Sequence, residues 1–368
     1  MEAGVSAHYP AEEFNIVKRR HLLKRVLQGS GGMIGASLLA SCGERALDRL
    51  FSLDLANPAE RLPDHLITSL SEFYVQSYAL PANVDTERWR LQIMGAVEMP
   101  LNFSYGDIVA APQEFFHLTM ECIGNPTGGN LIGNAEWTGT PLLPFLQQAG
   151  VKPEAVVFVL HGADYYETTL PVAEVMRSQV QLVYQMNRAP LTKEHGYPVR
   201  LIVPGYFGQK QPKWLTKIEA IAKSKKGYWE RQGWSNTAEI PIHALIQQVE
   251  ESRVWNQRSQ VTIPKNGETG WKNGILIAGV AIDHANPIQQ IQISTDEGKT
   301  WQTAEQNQPA SPHEWTLWRY GWQPTQPGRY TLLARARTKE ATQPLDDTNS
   351  KDGSSGALRI QVDLAQQT

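Results

Sequence analysis

Residues 119–139 read TMECIGNPTGGNLIGNAEWTG, and this stretch decides the fold of the first half of the chain. A strand-like run leads into Cys122 and then into a glycine turn at Gly124, which predicts a strand that ends at a loop. Such a loop would present the Cys122 thiol to a cavity. The same pattern also fits a buried free cysteine that behaves as a small hydrophobic residue, the commoner fate of a lone cysteine.

The composition bounds the number of domains and the classes of partner. With 368 residues, 41% of them hydrophobic and 19% charged, the chain is long enough to bury two cores, so we expect two domains and an export segment. The 34 Lys and Arg nearly balance the 37 Asp and Glu, and this balance gives no support to a nucleic-acid partner. Cys42 and Cys122 lie in such different settings that we predict no disulfide between them.

The first 42 residues have the pattern of an export signal. Lys18, Arg19 and Arg20 precede an apolar, glycine-rich run at 26–40, as in a charged region followed by a hydrophobic region. That run is shorter than the ~20 residues that span a bilayer, so we predict a signal and not a permanent transmembrane helix. The adjacent arginines resemble a twin-arginine signal. Because that system carries folded proteins, the resemblance suggests a cofactor that is inserted before export.

The signal ends in Leu39-Ala40-Ser41-Cys42, which resembles a bacterial lipobox. In that interpretation Cys42 is lipidated, residues 1–42 are a twin-arginine-like signal with a lipobox, and residues 43–61 are a tether. Acyl chains anchor firmly, since burial contributes ~0.8 kcal/mol per methylene. The protein would be an exported lipoprotein on the periplasmic side of a membrane. The alternative is an ordinary signal with a chance cysteine.

The remaining chain predicts two domains of different fold class. Residues 62–240 mix short β-branched runs with helical patterns, which indicates an α+β domain whose site is built from loops. A short helical pattern is expected within 230–264. Evenly spaced strand patterns then dominate, so 251–365 is predicted to be an all-β sandwich. The polar stretch 338–356 is interpreted as a long surface loop or a partly disordered one.

Downstream of Cys122, several unusual segments follow in one fixed order. They are residues 128–139, Gly162-Ala163-Asp164-Tyr165-Tyr166, Gln185-Met186-Asn187, His195-Gly196-Tyr197-Pro198-Val199-Arg200, Val203-Pro204-Gly205 and residues 208–214. With Cys122, this ordered set resembles the molybdopterin-binding domain of the sulfite oxidase family over about residues 62–221. The strand-rich tail resembles the immunoglobulin-like dimerisation domain of that family.

The resemblance implies a metal centre at Cys122. In the family, the matching cysteine donates its thiolate to molybdenum beside one pyranopterin, and soft sulfur suits such a metal. The expected cofactor is therefore molybdenum–molybdopterin, with Cys122 as metal ligand and catalytic residue. Tyr166 matches the family tyrosine beside the oxo ligand and is the second expected catalytic residue, with core packing as the alternative. Trp137 and Trp214 are interpreted as packing residues.

The resemblance also implies which side chains bind the pterin. His195, Arg200 and Lys213 are expected to hold its phosphate, which proteins pair with cations and hydrogen-bond donors. Asp164 is expected to hydrogen-bond the pterin, and residues 74–78 to lie along it. The expected cofactor-binding residues are in full Tyr74, Val75, Gln76, Ser77, Tyr78, Cys122, Asp164, His195, Arg200, Gln211, Pro212 and Lys213. Taken singly, each phosphate or pterin residue has another interpretation: Arg200 and Lys213 also fit surface charges, Asp164 a turn former and His195 a helix cap.

Some positions depart from the pattern of an enzyme that binds the sulfite dianion. Gln76 stands where the family has an arginine. Pro126 and Thr127 follow Asn125, where vertebrate sulfite oxidases have basic residues. Losing two charge-assisted contacts at ~1.5–3 kcal/mol each would lower sulfite affinity by several orders of magnitude unless another cation replaces them. Arg188 or a residue of the second domain is the expected replacement.

The sequence therefore predicts a molybdenum oxidoreductase that transfers an oxygen atom together with two electrons, with oxidation of sulfite to sulfate as the family default. The alternatives are a reductase of a sulfoxide or N-oxide, and a cofactor-free lipoprotein that acts as a binding module. The sequence has no Cys-x-x-Cys-His motif, and two cysteines cannot bind a four-thiolate cluster, so we expect neither haem nor iron–sulfur centre. An external carrier, such as a cytochrome c or a quinone-linked protein, would exchange the electrons. By the same resemblance, the second domain would form a homodimer.

Overall fold

The computed structural model describes residues 66–177, 179–250, 252–254, 260–263, 274–347 and 350–365. All of them belong to one compact unit. The predicted signal, the lipidation site at Cys42 and the tether at 43–61 lie outside the described residues. Among the residues that are described, no helix is long and apolar enough to cross a membrane.

The first sheet of the α+β domain has five strands. They are β1 (Arg90–Gly95), β2 (Leu101–Ser104), β5 (Val157–Gly162), β6 (Glu167–Pro171) and β10 (Leu215–Ile221). The order across the sheet is β2-β1-β10-β5-β6, in which the β1–β10 pair is parallel and the other pairs are antiparallel. Leu91 and Ile93 of β1 are buried between exposed neighbours, as the period of two in a half-buried strand requires.

The second sheet of this domain carries the segments that the sequence singled out. Its strands are β3 (Glu114–Glu121), β4 (Ile132–Pro141), β7 (Gln181–Met186), β8 (Ala189–Pro190) and β9 (Arg200–Ile202). The order is β3-β4-β7-β8, and β9 pairs with β7. Cys122 directly follows β3, which stands at one end of this order, and Arg200 is the first residue of β9.

Four short α-helices occur among the described residues. They are α1 (Tyr105–Ala110), α2 (Leu143–Ala149), α3 (Val172–Arg177) and α4 (Tyr228–Arg231). A capping box starts α1, because the Ser104 hydroxyl accepts from the Asp107 N–H at 3.2 Å and the Asp107 carboxylate accepts from the Ser104 N–H at 2.7 Å. Helix α2 ends at Gly150, whose φ of 67° is readily available only to glycine.

The second domain is an all-β sandwich, as predicted. Its strands are β11 (His243–Val249), β12 (Ser252–Arg253), β13 (Gln260–Ile263), β14 (Ile275–Ile282), β15 (Gln290–Ser294), β16 (Gln302–Thr303), β17 (Glu305–Gln306), β18 (Thr316–Trp322), β19 (Gly328–Arg337) and β20 (Ile360–Leu364). The sheet orders are β12-β11-β14-β18-β17 and β13-β20-β19-β15-β16. Ile277 and Trp318 of one sheet share a core with Ile293 and Leu332 of the other.

The segment between the domains is extended where a short helical pattern was expected. Strand β11 pairs antiparallel with β14, from His243 opposite Ile282 to Val249 opposite Ile277. The helical prediction was wrong because hydrogen bonds to a strand distant in sequence decide the conformation of this segment. The sandwich consequently begins before residue 251, which was its predicted start.

The described part of residues 338–356 is mostly irregular, with exposed residues such as Lys339, Glu340 and Asp346, as predicted for a surface loop, but buried residues anchor it to the protein. Gln343 is 2% exposed, and its amide accepts from the Ala244 N–H at 2.7 Å and donates to the Ser355 carbonyl at 3.0 Å. Gly353 lies directly against the Phe207 ring of the first domain. A single buried amide thus satisfies main-chain groups of several segments and fixes the path of this polar stretch.

Two apolar clusters join the domains. One contains Ile123, Phe207, Ala238, Ile240 and Ile282, and the other contains Ile132, Leu245, Val280, Trp315 and Leu317. Strand β14 contributes to the sandwich core and to these clusters, which explains why every residue from Ile275 to Ile282 is buried. The second domain therefore packs directly against the loop that contains Cys122.

Candidate functional site

One cavity contains most of the residues that the sequence singled out. It encloses about 960 Å³ of empty space, part of which is open to solvent. Twenty residues from six segments line it: Phe73, Tyr74, Gln76, Ser77, Tyr78, Met120, Cys122, Ile123, Gly124, Asp164, Tyr166, His195, Arg200, Gly208, Gln209, Gln211, Pro212, Lys213, Trp229 and Trp234.

Eleven of the twelve expected cofactor-binding residues line this cavity, and so does Tyr166. The exception is Val75, whose side chain does not line the cavity and is 48% exposed. The other residues of this segment, Tyr74 and 76–78, do line the cavity, so the segment passes along the wall with only Val75 turned away. Trp137 and Trp214 are fully buried behind the wall, where they pack rather than face the space.

The Cys122 loop is held by its own backbone and by Asn125. The Cys122 N–H donates to the Leu131 carbonyl at 2.9 Å, and the Cys122 carbonyl accepts from the Asn125 N–H at 2.9 Å. Burial raises the pKa of the Cys122 thiol, an N–H from Gly124 acts against this rise, and the Glu121 charge adds to it. A thiolate at this position therefore requires a cation beside it, as a metal would supply.

The basic side chains of His195, Arg200 and Lys213 form a second feature of the cavity. The buried Arg200 guanidinium donates to the His195 carbonyl at 3.2 Å, and its Nε has no hydrogen-bond partner among the described residues. The Lys213 ammonium donates to the Ser77 hydroxyl at 2.6 Å and to the Glu194 carbonyl at 2.8 Å. Although these side chains are buried, the hydrogen bonds above are made to carbonyl and hydroxyl oxygens and not to carboxylates.

The pKa values of these basic side chains also indicate that they lack nearby negative charge. Burial, followed by the Arg200 charge, lowers the pKa of Lys213 to about 7. Burial and the charges of Arg200 and Lys213 lower the pKa of His195 to about 4, and burial lowers the pKa of Arg200 to about 10. A bound anion would restore the protonated forms, so the cluster is suited to a phosphate group.

Gly196 allows the basic side chains of His195, Arg200 and Lys213 to converge. Its φ is +107°, and a Cβ there would lie 3.0 Å from the Lys213 Cβ and 3.1 Å from the Arg200 Cβ. Any larger residue would push the 195–200 segment away from Lys213, so the backbone of this glycine sets the spacing between the charges.

Asp164 and Tyr166 lie on the turn between β5 and β6. The Asp164 carboxylate accepts from the Tyr166 N–H at 3.1 Å, and burial raises the pKa of Asp164. The Tyr166 hydroxyl donates to the Gln209 carbonyl at 2.7 Å. The phenol proton is therefore used in a hydrogen bond within the protein, and in this arrangement only the lone pairs of the hydroxyl oxygen can interact with a bound molecule.

Aromatic rings form another part of the wall. Tyr78 lies 6.0 Å from Tyr166 and 4.5 Å from Tyr228, and Trp229 lies 6.2 Å from Trp234, measured between ring centroids. We refer to the four of these that line the cavity, Tyr78, Tyr166, Trp229 and Trp234, as the aromatic wall. A Cβ on Gly124 would lie 3.5 Å from the Trp234 ring and 3.8 Å from the Cys122 Sγ, so the wall reaches the space beside the thiol.

The sequence did not single out eight of the lining residues: Phe73, Met120, Ile123, Gly124, Gly208, Gln209, Trp229 and Trp234. Five of them belong to segments that had been recognised, and Phe73 immediately precedes one. Trp229 and Trp234 lie beyond these segments, in and after helix α4. The clustering of aromatic residues in 227–234, GYWERQGW, is the signal that could have indicated them.

Comparison with known proteins places the chain in a family. Residues 77–229 match the family model described as the oxidoreductase molybdopterin binding domain. The uncharacterized oxidoreductase YuiH of Bacillus subtilis (strain 168) is 31% identical over 174 residues, which cover 47% of this chain and 86% of that protein. Mitochondrial sulfite oxidase of Homo sapiens is 28% identical over 302 residues, or 71% of this chain and 54% of that protein. The chain belongs to the sulfite oxidase family.

The chain spans about half the length of the mitochondrial sulfite oxidases that it matches, 54% in the human protein. A solved structure of the sulfane dehydrogenase SoxCD from Paracoccus pantotrophus has a TM-score of 0.60 and 24% identity, covering 78% of this chain and 80% of that one. That likeness shows the fold, in agreement with the two domains described above.

The structure locates the positions at which the chain departs from sulfite oxidases. Gln76 lines the cavity, whereas Pro126 and Thr127 do not, and the Thr127 hydroxyl instead donates to the Asp347 carboxylate. Arg188 does not line the cavity and is bound to Glu136 at 2.9 Å with 83% of its side chain exposed. Arg188 therefore does not replace the missing cations, and no lining residue from the described second domain does so.

Proposed function

We propose that this member of the sulfite oxidase family is a molybdenum-cofactor oxidoreductase that transfers one oxygen atom together with two electrons. One observation carries the proposal: the Cys122 thiol and the His195–Arg200–Lys213 cluster line the same cavity. A thiol is a ligand for a soft metal, and a buried group of cations is a site for a phosphate. The molybdenum–molybdopterin cofactor combines these two groups in one molecule.

The described residues fit this cofactor. The buried Arg200 Nε without a partner and the lowered pKa of Lys213 both indicate that a negative group is needed beside them. Arg200, Lys213 and His195 would hold the phosphate, while Asp164 and Gln211 offer polar atoms to the pterin. When bound, molybdenum would supply the redox chemistry by alternating between its hexavalent and tetravalent states.

The side chains of this protein would bind, orient and exclude water. Cys122 would fix the metal through its thiolate, on a loop that is held by Asn125. Phe73 and Met120 are buried and would shield the cofactor from solvent. Tyr166 is proposed to contact the substrate oxygen by turning its hydroxyl proton from the Gln209 carbonyl towards that oxygen, because an oxygen that only accepts cannot bond to the hydroxyl lone pairs.

Sulfite is the first candidate substrate, because the proteins named sulfite oxidase are similar to this chain over 71% of its length. A neutral sulfoxide or N-oxide, which the enzyme would reduce, is the second candidate, and a specific observation favours it. The aromatic wall contains no charged side chain, and Gln76 adds none. A dianion would lose more hydration there than a neutral oxide, since buried charges need partners.

The physiological setting proposed for the enzyme rests on sequence patterns. The twin-arginine-like signal and the lipobox support export to the periplasmic side with a lipid anchor at Cys42. An external electron carrier, such as a cytochrome c or a quinone-linked protein, would exchange electrons with the cofactor. A homodimer through the second domain is proposed from the family resemblance, and light scattering on the soluble form tests it.

Metal analysis separates the enzyme from a cofactor-free binding module. Protein purified from a host that makes the cofactor should contain molybdenum, and its absence would contradict the enzyme proposal. Steady-state assays then separate the substrates: sulfite with a dye acceptor is compared with sulfoxides and N-oxides in the presence of reduced viologen. A higher kcat/KM for sulfite than for the oxides would reject the second candidate.

A further inference from the structure

A buried carboxylate lies directly beside the proposed metal ligand. Glu121 precedes Cys122, is 2% exposed, and accepts through Oε1 from the Asn125 amide at 2.8 Å. Its Oε2 forms an ion pair with His243 Nε2 at 3.1 Å. His243 is 1% exposed and is the first residue of β11, so this contact comes from the second domain.

The other side of the His243 ring is also fixed. Its Nδ1 lies 2.9 Å from the Pro241 carbonyl oxygen, and a carbonyl can only accept, so Nδ1 carries the proton in that bond. Nε2 then lies 3.1 Å from the Glu121 Oε2, an ion-pair distance at which neither atom has a hydrogen bond of good geometry among the described residues. Strand pairing of His243 with Ile282 holds the backbone of the histidine in the sandwich.

Asn125 transmits this contact to the Cys122 loop. Its side-chain NH₂ donates to the Glu121 carboxylate, and its side-chain oxygen accepts from the Leu131 N–H at 3.0 Å. Its backbone N–H donates to the Cys122 carbonyl at 2.9 Å. Asn125 is 2% exposed, so these bonds are made in a dry environment where they hold their geometry. The path therefore runs from His243 through Glu121 and Asn125 to the thiol loop.

We propose that His243 is a positioning residue through which the second domain fixes the Cys122 loop in the geometry required for metal binding. The second domain then completes the active site, beyond any role in dimerisation. This inference rests on the proposed function only in taking Cys122 as the metal ligand. A matched control exists, because His117 and Glu314 form another interdomain ion pair, at 2.9 Å, outside the Glu121–Asn125 path.

The first test measures the mobility of the loop without the cofactor. The full chain, carrying Cys42→Ser so that Cys122 is its one thiol, is made in a host that lacks the cofactor, and its alkylation by iodoacetamide is followed. We expect His243→Met to raise the alkylation rate by at least about tenfold, because a buried carboxylate without its partner opens the loop. His243→Gln keeps a donor near the Nε2 position and should remain within about twofold of the parent.

His117→Met should leave the alkylation rate unchanged. Equal rates for His243→Met and the parent, or equal increases for His243→Met and His117→Met, would overturn the proposal. If circular dichroism shows that His243→Met does not fold, Glu121→Gln/His243→Met removes both charges. This double variant should show the same accelerated alkylation, and a parental rate in it would also overturn the proposal.

The second test uses the protein loaded in a cofactor-producing host. We expect His243→Met to shift the thiolate-to-molybdenum absorption and to lower molybdenum content, with both properties restored in His243→Gln and unaltered in His117→Met. A parental spectrum in His243→Met would contradict the inference. Because alkylation requires no metal, a parent without molybdenum would reject the proposed function and still leave the loop measurement interpretable.

Discussion

The Lys213 ammonium lies 2.6 Å from the Ser77 hydroxyl, although 136 residues separate the two in sequence. This contact joins the 74–78 segment to the 208–214 segment beside Arg200. Both segments had been identified from sequence as cofactor-binding, and the contact shows that the fold brings them to the same cavity wall.

The low pKa of Lys213 predicts a pH-dependent anion site in the cofactor-free protein. In the folded state the ammonium is present below pH about 7, whereas an unfolded chain keeps it up to the usual lysine pKa near 10.5. Stability of the cofactor-free protein should therefore rise with pH between these values, since the unfolded state binds the extra proton. Sulfate should stabilise the folded state more at pH 6 than at pH 8.5.

Thermal unfolding with and without sulfate measures both effects. Lys213→Met serves as the control and should lose the contribution of Lys213 to each pH dependence. An identical sulfate effect at the two pH values in the parent would show that Lys213 does not titrate as stated.

Gly196 provides a test of how the cation cluster is spaced. Gly196→Ala places a Cβ at about 3 Å from the Cβ atoms of Lys213 and Arg200 and forces an alanine to a φ of +107°. We expect a loss of ~1–3 kcal/mol in unfolding free energy and a clear loss of bound pterin. Gly328→Ala is the matched control, because Gly328 has a φ of +146° and no atom within 4 Å of the added Cβ. Equal pterin contents in the two variants would contradict the claim that a Cβ at position 196 disturbs the spacing of Lys213 and Arg200.

Gln76 tests the assignment of substrate class. Gln76→Arg adds a guanidinium to the cavity wall and should raise kcat/KM for sulfite by ~10–100-fold, the value of one charge-assisted contact. Gln76→Met is the uncharged control and should give no such rise. The assay is sulfite oxidation with a dye acceptor, normalised to molybdenum content. If Gln76→Arg leaves sulfite turnover unchanged, the missing cation at this position does not limit sulfite binding.

Gly124 tests whether the aromatic wall borders the substrate. The added Cβ of Gly124→Ala would make ordinary contacts, 3.5 Å to the Trp234 ring and 3.8 Å to the Cys122 Sγ, so the fold should tolerate it. The space beside the thiol becomes narrower, and KM for methyl phenyl sulfoxide should rise about tenfold or more relative to dimethyl sulfoxide. Viologen-linked assays measure this ratio, and an unchanged ratio would place the substrate elsewhere in the cavity.

The cavity could be predicted largely from the sequence because its contributors are short, distinctive segments in a fixed order. Cys122, Asp164 and Arg200 were each ambiguous alone, and their order resolved the ambiguity. The all-β character of the second domain was equally accessible from its alternating patterns and turns.

Two features of the site could not be predicted in this way. Trp229 and Trp234 lie outside the recognised segments, and an aromatic ring has the same sequence signature in a core as in a cavity wall. The Glu121–His243 pair depends on β11, which local sequence suggested was helical, and strand pairing with β14 is a non-local effect.

The central claim is that Cys122 is the protein ligand of a molybdenum cofactor. Its most direct test compares the molybdenum content and electronic absorption spectrum of the parent protein with those of Cys122→Ser, both purified from a host that makes the cofactor. We predict stoichiometric molybdenum and a thiolate-to-metal absorption band in the parent, and loss of that band in Cys122→Ser. A band of the same energy and intensity in the two proteins would contradict the account.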